Sequence, residues 1–316
     1  MLSAPILTGK KILITGVTGL IARPIALMLA QNNEVWGLSL FNEAEAATRA
    51  LLEAVGVKCI PWNMATDAFP PAVPADITHI LHTAMLRETE SFDAAMDVNG
   101  VAVAKLMDRF RGAEAFYFIS STAIYQHLEP EHRHKETDPL GGGLVFIPAY
   151  QVSKIAAEAV VRSLAQLYDL PTVIIRPGIC YGPGSWGGVP ILFLNKMLAG
   201  EPIELPPEGY TYAMPIDVDD IARFTPSIFN AASVPATIVN MAGDDAVSDV
   251  EYIRYISEIT GVPVEFLRGT YYRDNYLTDN SKREAIAGKC QIHWKDGIAR
   301  AIAAHFPDMK LKQASH

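Results

Sequence analysis

The chain has 316 residues, half of them hydrophobic and 19% charged, and a formal net charge of −9. That acidic balance excludes a phosphate-neutralising face for nucleic acid, and no apolar run approaches the ~18 residues needed to cross a bilayer. Cys59, Cys180 and Cys290 stand too far apart for a disulfide framework or a Cys-based zinc site, and Met1-Leu2-Ser3 opens no signal-peptide pattern, so a cytoplasmic globular protein is expected.

Lys11-Ile12-Leu13-Ile14-Thr15 reads as a first strand between Gly9 and Gly16. Gly16-Val17-Thr18-Gly19-Leu20-Ile21-Ala22 then turns into a helical pattern from Pro24 to Gln31. A strand that passes through glycines into a helix makes an anion site, because the backbone can approach a diphosphate and the helix offers unpaired N–H groups. Glu34 to Ser39 is the second strand, followed by a helical stretch from Glu43 to Val55 and a third strand from Lys58 to Trp62. The fourth strand is Ile77 to His82, closing with Thr83-Ala84, and the helix from Phe92 to Arg111 carries Asn99. His79 and His82, three apart on a strand, fall on opposite faces.

Ala115 to Ile119 forms a fifth strand that delivers Ser120-Ser121-Thr122 at its carboxyl end, where an open parallel sheet binds its ligands. Ala, Leu, Val and Glu then dominate Tyr150 to Tyr168, with apolar spacing that predicts an amphipathic helix. At its head Tyr150 and Lys154 stand four apart and so share a face. A positive charge beside a phenol favours the phenolate, which would let Tyr150 pass a proton near neutral pH. A sixth strand, Pro171 to Ile175, leads into Arg176-Pro177-Gly178-Ile179-Cys180-Tyr181-Gly182-Pro183-Gly184. Beyond it Gly- and Pro-rich loops surround short helices, and Ala236 to Met241 reads as a late strand that returns to the main sheet. Helices are expected at Val250 to Thr260 and Trp294 to His305.

In this order the Gly-rich turn, Ser-Ser-Thr, Tyr150-x-x-x-Lys154, Arg176-Pro177, Asp217-Val218-Asp219-Asp220 and Asp279-Asn280-Ser281-Lys282 resemble the extended short-chain dehydrogenase/reductase family, the NAD(P)-dependent epimerase/dehydratase-like group. The resemblance covers nearly the whole chain. It implies an α/β fold: a Rossmann-type doubly wound parallel sheet over residues 1–175, joined by a strand near 236–242, with a smaller C-terminal substrate-binding lobe in 176–316. It also implies an NAD(P)-dependent oxidoreductase. Gly16, Thr18, Gly19, Leu20, Ile21 and Ala22 would cradle the diphosphate, Ser39, Asn63 and Met64 would border the adenosine, and Thr83, Ala84, Asn99, Pro177, Gly178 and Ile179 would line the rest of the cofactor channel. Tyr150 would carry the proton, Lys154 would bind the nicotinamide ribose and lower the tyrosine pKa, and Ser121, or its neighbour Thr122, would orient the substrate carbonyl. The long helices at 92–111 and 149–168 imply a homodimer built on a four-helix bundle.

Two features of the chain refine this expectation. The end of the second strand, Ser39-Leu40-Phe41-Asn42, has neither the acid that selects NAD nor a base for a 2′-phosphate. Ser39 and Asn42 could donate to that phosphate, which tips the reading toward NADP over NAD. Sugar-nucleotide members of the family hold the diphosphate with an Arg and an Asn, where this chain has Ala213 and Ile179. With Tyr181, Trp186, Val189, Ile191, Phe193, Tyr210, Tyr212 and Met214 nearby, this predicts a small, largely uncharged ketone, aldehyde or secondary alcohol as substrate, with Thr122, Tyr181, Trp186 and Met214 binding it. Arg176 or Arg223 could still offer an anion contact. A nucleotide-sugar epimerase or dehydratase is the alternative enzyme, and a catalytically silent NADP sensor is a third reading. No metal site is predicted: His132-Arg133-His134-Lys135 lies in a charged loop without a carboxylate at ligand spacing. Asp217, Asp219 and Asp220 precede a helical run and read as caps.

Overall fold

The computed structural model describes residues 7–87, 89–129, 131–141, 147–269, 275 and 277–312. Its centre is a sheet of seven parallel strands: β1 (Lys11–Thr15), β2 (Glu34–Ser39), β3 (Lys58–Pro61), β4 (His79–His82), β5 (Ala115–Ile119), β6 (Thr172–Pro177) and β7 (Thr237–Met241). They lie in the order β7-β6-β5-β4-β1-β2-β3. Every residue of β4, β5 and β6 is buried, which explains their continuous apolar runs: helices cover both faces, so no side need be polar. The chain direction across the sheet reverses between β1 and β4, and such a switch point opens a crevice at the carboxyl ends of the strands.

On one face Ile12, Ile14, Tyr117 and Val239 pack against α1 (Ala22–Leu29), α2 (Ala46–Ala54) and, from further along the chain, Val218–Asn230. On the other, Leu13, Ile80, Phe116 and Ile174 meet α4 (Ala102–Arg109), which continues α3 (Phe92–Met96), and α5 (Pro148–Leu167), on which α3 packs. The remaining helices are α6 (Val189–Leu198), α7 (the Val218–Asn230 helix just named), α8 (Asp249–Thr260), α9 (Ser281–Ala287) and α10 (Trp294–His305). Of these α6, α8 and α10 enclose a separate apolar centre of Ile191, Leu194, Tyr252, Ile256, Trp294 and Ile298, the core of the lobe. Helix α7 starts where Asp217 accepts the Asp219 N–H at 2.9 Å, and Asp220 accepts from the N–H groups of Gln291 and Ile292, so these two acids satisfy backbone donors.

The strands expected at Lys11–Thr15, Glu34–Ser39 and Ala115–Ile119 form with those ends. Two helices differ from expectation. The stretch from Glu43 begins as a 3₁₀ turn, Glu43–Glu45, capped by Asn42, before α2 takes over. The helix expected without interruption from Phe92 to Arg111 contains a wide π turn at Asp97–Val101, which turns Asn99 inward. His79 and His82 do lie on opposite faces: His79 meets the edge of Phe229 at 5.2 Å, whereas His82 stacks on Phe118 at 5.9 Å. Among the described residues no helix is long and apolar enough to cross a membrane.

Candidate active site

The crevice begins at the turn after β1. Gly16 has φ +67°, and a Cβ there would lie 2.8 Å from Thr83 Oγ1 and 2.9 Å from the Ala84 nitrogen, so only glycine fits. Thr83 closes the turn by donating its hydroxyl to the Thr15 carbonyl at 2.7 Å, and the Ala84 N–H donates to Thr15 Oγ1. Gly19 bonds back to the Gly16 carbonyl, and the chain enters α1 at Ala22 with no side chain capping the first N–H groups. Uncapped amides behind a close-packed glycine turn are what a dinucleotide diphosphate requires. Arg23 adds positive charge in the same turn while its guanidinium bonds the Pro183 carbonyl. These residues fit the cofactor.

The acid missing from the end of β2 comes from elsewhere. Thr18 Oγ1 lies 2.5 Å from Glu45 Oε1 and 2.7 Å from Ser39 Oγ, and Ser39 also reaches both carboxylate oxygens of Glu45 at 3.3 and 3.4 Å. The 3₁₀ turn at Glu43–Glu45 brings this carboxylate to the strand end, the place where a dinucleotide fold sets its ribose-binding acid. Of the two cofactors expected, NADP and NAD, this carboxylate speaks for NAD; the local sequence around Ser39 and Asn42 could not reveal an acid folded back from six residues on. Asn42 itself caps the turn by accepting the Glu45 N–H. Asn63 and Met64 follow β3, with Asn63 accepting from Ala65 N–H and Met64 packed beside the core.

At the end of β5, Ser120 is buried with its hydroxyl unpartnered, Ser121 accepts the Ala123 N–H, and Thr122 is buried at the start of a short 3₁₀ turn. Tyr150 enters from the first turn of α5 and is buried, with Ser121 close enough to its hydroxyl to act on it. Burial raises the Tyr150 pKa above its usual value, opposed by the Ser121 hydrogen bond and the charge of Arg87. Lys154 is not among the groups that move it here. Lys154 is buried, donates its Nζ to the Ile119 carbonyl at 2.7 Å, and lies 5.9 Å from the Tyr150 ring centre. Burial, eased by the charge of Glu158, brings its own pKa down to about 8. Behind it Glu158 of α5 and Arg176 of β6 form a bidentate ion pair at 2.7 and 2.9 Å, which fixes the helix to the sheet. Arg176 is thereby committed and offers no ligand contact.

Asn99 differs in role from the one expected. It accepts from Leu86 N–H at 2.8 Å and donates to the Leu86 carbonyl and to Ser153 Oγ, both at 2.9 Å, so its amide is occupied within the chain. It thus joins the loop after β4 to the helix that carries Tyr150. That loop presents Arg87, whose guanidinium lies 4.9 Å over the Trp186 ring. Arg87 was not singled out from the sequence; its position after β4 at the switch point was the available signal.

The substrate side is less apolar than expected. Tyr181 is wholly buried in the lobe core, beside Ile191, and cannot bind substrate. Phe193 packs on Tyr252 in the same core, and Tyr210 lies under Arg268. Trp186 is 42% exposed beside Arg87, so the cation and the ring form one surface. Met214 sits by Gly178, with Arg133 donating to its Sδ, and both border a cleft of about 340 Å³ with Asp244, Thr278, Asn280 and Ser281. Pro177 ends β6, and the Ile179 carbonyl accepts the Ile216 N–H, so Gly178 and Ile179 stand at the edge of the crevice. Arg223 bonds Asp220 and the Lys289 carbonyl on the far side of α7.

One part of the loop also departs from expectation. His132 Nε2 lies 2.6 Å from Asp138 Oδ2, and His134 Nδ1 lies 3.5 Å from the same atom, so the carboxylate that the spacing did not reveal is present.

A glycine-lined dinucleotide crevice, with a Ser–Tyr pair and a buried lysine at its end, defines a nicotinamide-dependent oxidoreductase. Residues 12–242 match the NAD dependent epimerase/dehydratase family, and the chain belongs to that family. It is an enzyme of the extended short-chain dehydrogenase/reductase type. A dTDP-4-dehydro-6-deoxy-D-allose reductase from Streptomyces bikiniensis is 26% identical over 274 residues, 81% of this chain and 82% of the relative. A dTDP-glucose 4,6-dehydratase from Neisseria gonorrhoeae is 22% identical over 78% of this chain and 77% of its own. Among solved structures, UDP-glucuronic acid 4-epimerase from Bacillus cereus, in complex with UDP-glucuronic acid and NAD, has a TM-score of 0.79 at 18% identity, covering 93% of this chain and 98% of that one. A UDP-N-acetylglucosamine 4-epimerase from Methanobrevibacter ruminantium gives 0.80 at 19% identity, with coverage of 96% and 100%. At these identities the likeness of the structures speaks for the fold.

Proposed function

We propose that the enzyme uses NAD to oxidise or reduce a secondary alcohol or ketone on the sugar ring of a nucleotide sugar. The observation that carries this reading is Tyr150, buried on the first turn of α5, with the buried Lys154 5.9 Å from its ring and bonded to the carboxyl end of β5 at Ile119. The curated relatives named above act on dTDP-sugars, and this supports a nucleotide sugar over the small uncharged carbonyl expected from Ala213 and Ile179. The cation that those two positions lack is available from Arg87 and Arg133, and either guanidinium can hold a diphosphate bidentately.

Bound NAD supplies a hydride acceptor at the nicotinamide C4, and NADH the corresponding donor. The chain's own residues manage the proton and the geometry. In the direction of reduction Tyr150 donates its phenolic proton to the substrate oxygen, and Ser121 hydrogen-bonds the oxygen as it gains negative charge. In oxidation Tyr150 takes the proton back. Lys154 would hold the nicotinamide ribose and, when charged, would favour the phenolate electrostatically. Trp186 offers an apolar face to the sugar ring or base. Ser120, Ser121, Thr122 and Ala123 follow β5 with no carboxylate among them, which favours simple redox or epimerisation over elimination of water, a step that needs a further acid–base pair.

The test is calorimetry with dTDP- and UDP-hexoses in the presence of NAD, set against alicyclic and aromatic ketones, followed by turnover read at the reduced-cofactor absorbance. Micromolar binding of a nucleotide sugar supports the proposal. Binding and turnover confined to the small ketones would restore the substrate class first expected from the sequence.

A further inference from the structure

The loop between β5 and α5 contains two histidines and a carboxylate that the redox chemistry does not use. His132, His134 and Asp138 each bring one donor atom to within 4.8 Å of the others. We infer that these three side chains form a binding site for one divalent transition metal ion of the zinc class.

The donor set is the first reason. Two neutral imidazoles and a carboxylate suit zinc and its neighbours, and three protein ligands leave a fourth position for water. Spacing is the second. Zinc–nitrogen and zinc–oxygen bonds of about 2.0–2.2 Å separate tetrahedral ligands by roughly 3.3 Å. His134 Nδ1 is 3.5 Å from Asp138 Oδ2, close to that separation. His132 Nε2 is 2.6 Å from the same oxygen in a hydrogen bond, which an ion would replace by opening the pair slightly.

The state of His134 is an independent sign. Its side chain is 4% exposed, yet its Nδ1 makes no hydrogen bond and is directed into the cluster. A buried ring nitrogen that makes no hydrogen bond, with only a carboxylate oxygen 3.5 Å away, is costly, and a cation between the three groups removes that cost. The residue is also held in place before any ion arrives. Its N–H donates to the Leu277 carbonyl, its carbonyl accepts from Asp279 N–H and Asn240 Nδ2, and its ring stacks on Tyr125 at 4.6 Å and 8°. Asp138 is fixed by the Lys135 N–H at 3.0 Å. His132, 36% exposed, forms the open side by which an ion enters. Because His134 pairs with Leu277 and Asp279, the ion would clasp the loop after β5 to the segment preceding α9. Its role is structural, since Tyr150 and Ser121 contribute nothing to it.

The experiment uses the full chain, freed of any polyhistidine tag and stripped with EDTA, titrated with ZnCl₂ by calorimetry and heated with and without zinc. The expected result is one zinc per chain and a melting temperature that rises with zinc and returns with EDTA. His132→Ala and Asp138→Asn should each weaken binding by at least ~10-fold and abolish the thermal shift. Circular dichroism in EDTA shows whether each variant is folded, and His132→Gln, at the exposed rim, replaces any that is not. Absence of saturable binding at one ion per chain, or binding undiminished in folded variants, overturns the site.

Discussion

Thr18 Oγ1 and Glu45 Oε1 lie 2.5 Å apart, so a residue of the glycine-rich turn and one of the 3₁₀ turn after β2 share a hydrogen bond at the adenosine end of the crevice. Ser39 completes the triangle. The carboxylate stands where a 2′-phosphate would bring two negative charges. Glu45→Gln keeps the hydrogen bonds but removes the repulsion, and NADP affinity should rise about tenfold, equivalent to ~1.4 kcal/mol, with NAD affinity little changed. A side-by-side fluorescence titration with both cofactors checks this; NADP already binding as tightly as NAD in the parent would remove Glu45 from the selectivity.

Tyr150→Phe should lower turnover of a competent substrate by about 10²–10⁴-fold while NAD binding stays near the parent value. Single-turnover kinetics with a matched calorimetric titration separates the two effects. An unimpaired rate would pass the proton-carrying role to another group.

Lys154 yields a pH prediction for the cofactor-free protein. Its folded pKa is about 8, against the ordinary 10.5 of lysine. Above the folded value the native lysine is neutral while the unfolded one still binds a proton, so this residue makes stability rise as pH climbs from 8. Burial holds the thiols up at about 11 for Cys59 and about 12 for Cys180, so their ionisation in the unfolded state opposes this rise between pH 8 and 9, and a comparison with a Lys154 variant cancels that contribution. The melting temperature of the parent relative to Lys154→Met should therefore increase across that window. A constant difference would mean that the ammonium is not desolvated.

Glu158 and Arg176 are each 1% exposed at the side chain and paired in bidentate fashion. Glu158→Gln leaves a buried guanidinium without its counter-charge and should cost about 3–5 kcal/mol of folding stability, read by urea denaturation. The effect on KM for NAD should be small if the pair serves only to hold α5 on the sheet.

Val101 and Val152 are 46% and 42% exposed, the first in the π turn and the second on α5. Two-fold pairing of these helices across copies of the chain would cover both, and light scattering at micromolar concentration should give the mass of a dimer. Val152→Asp should shift it toward the monomer. A parent that runs as a monomer would count against the pairing.

The sheet was legible because its strands obey a local rule: buried on both faces, they are apolar without alternation, as in Ala115–Ile119. That Tyr150 and Lys154 share one helix and Ser121 follows β5 could be read because spacing and place in the chain are also local. Glu45 and Asp138 could not. Each acts through a turn that folds it back on residues read as uncharged or unpaired, and nothing in the neighbouring sequence states the sense of that turn. Tyr181 illustrates the converse error, since an aromatic beside a glycine-rich loop reads as pocket lining, whereas α6, α8 and α10 enclose it as core. The π turn that directs Asn99 to Leu86 and Ser153 inserts a residue into a helix whose period gave no warning.

The seventh strand also bears on how the chain is made. β7 pairs with β6 through Thr237↔Val173 to Met241↔Pro177, yet the lobe helix α6 and the α7 helix both precede it in the chain. A ribosome that has released residues as far as α5 and β6 has therefore exposed Val173, Ile174 and Ile175 as an open sheet edge, with no partner until the later segment arrives. Long-range parallel pairing of this kind is slow, and an unprotected edge invites association between nascent chains. A fragment ending near Ile175 should accumulate in inclusion bodies, and co-expression of a peptide that spans β7 should draw part of it back into solution.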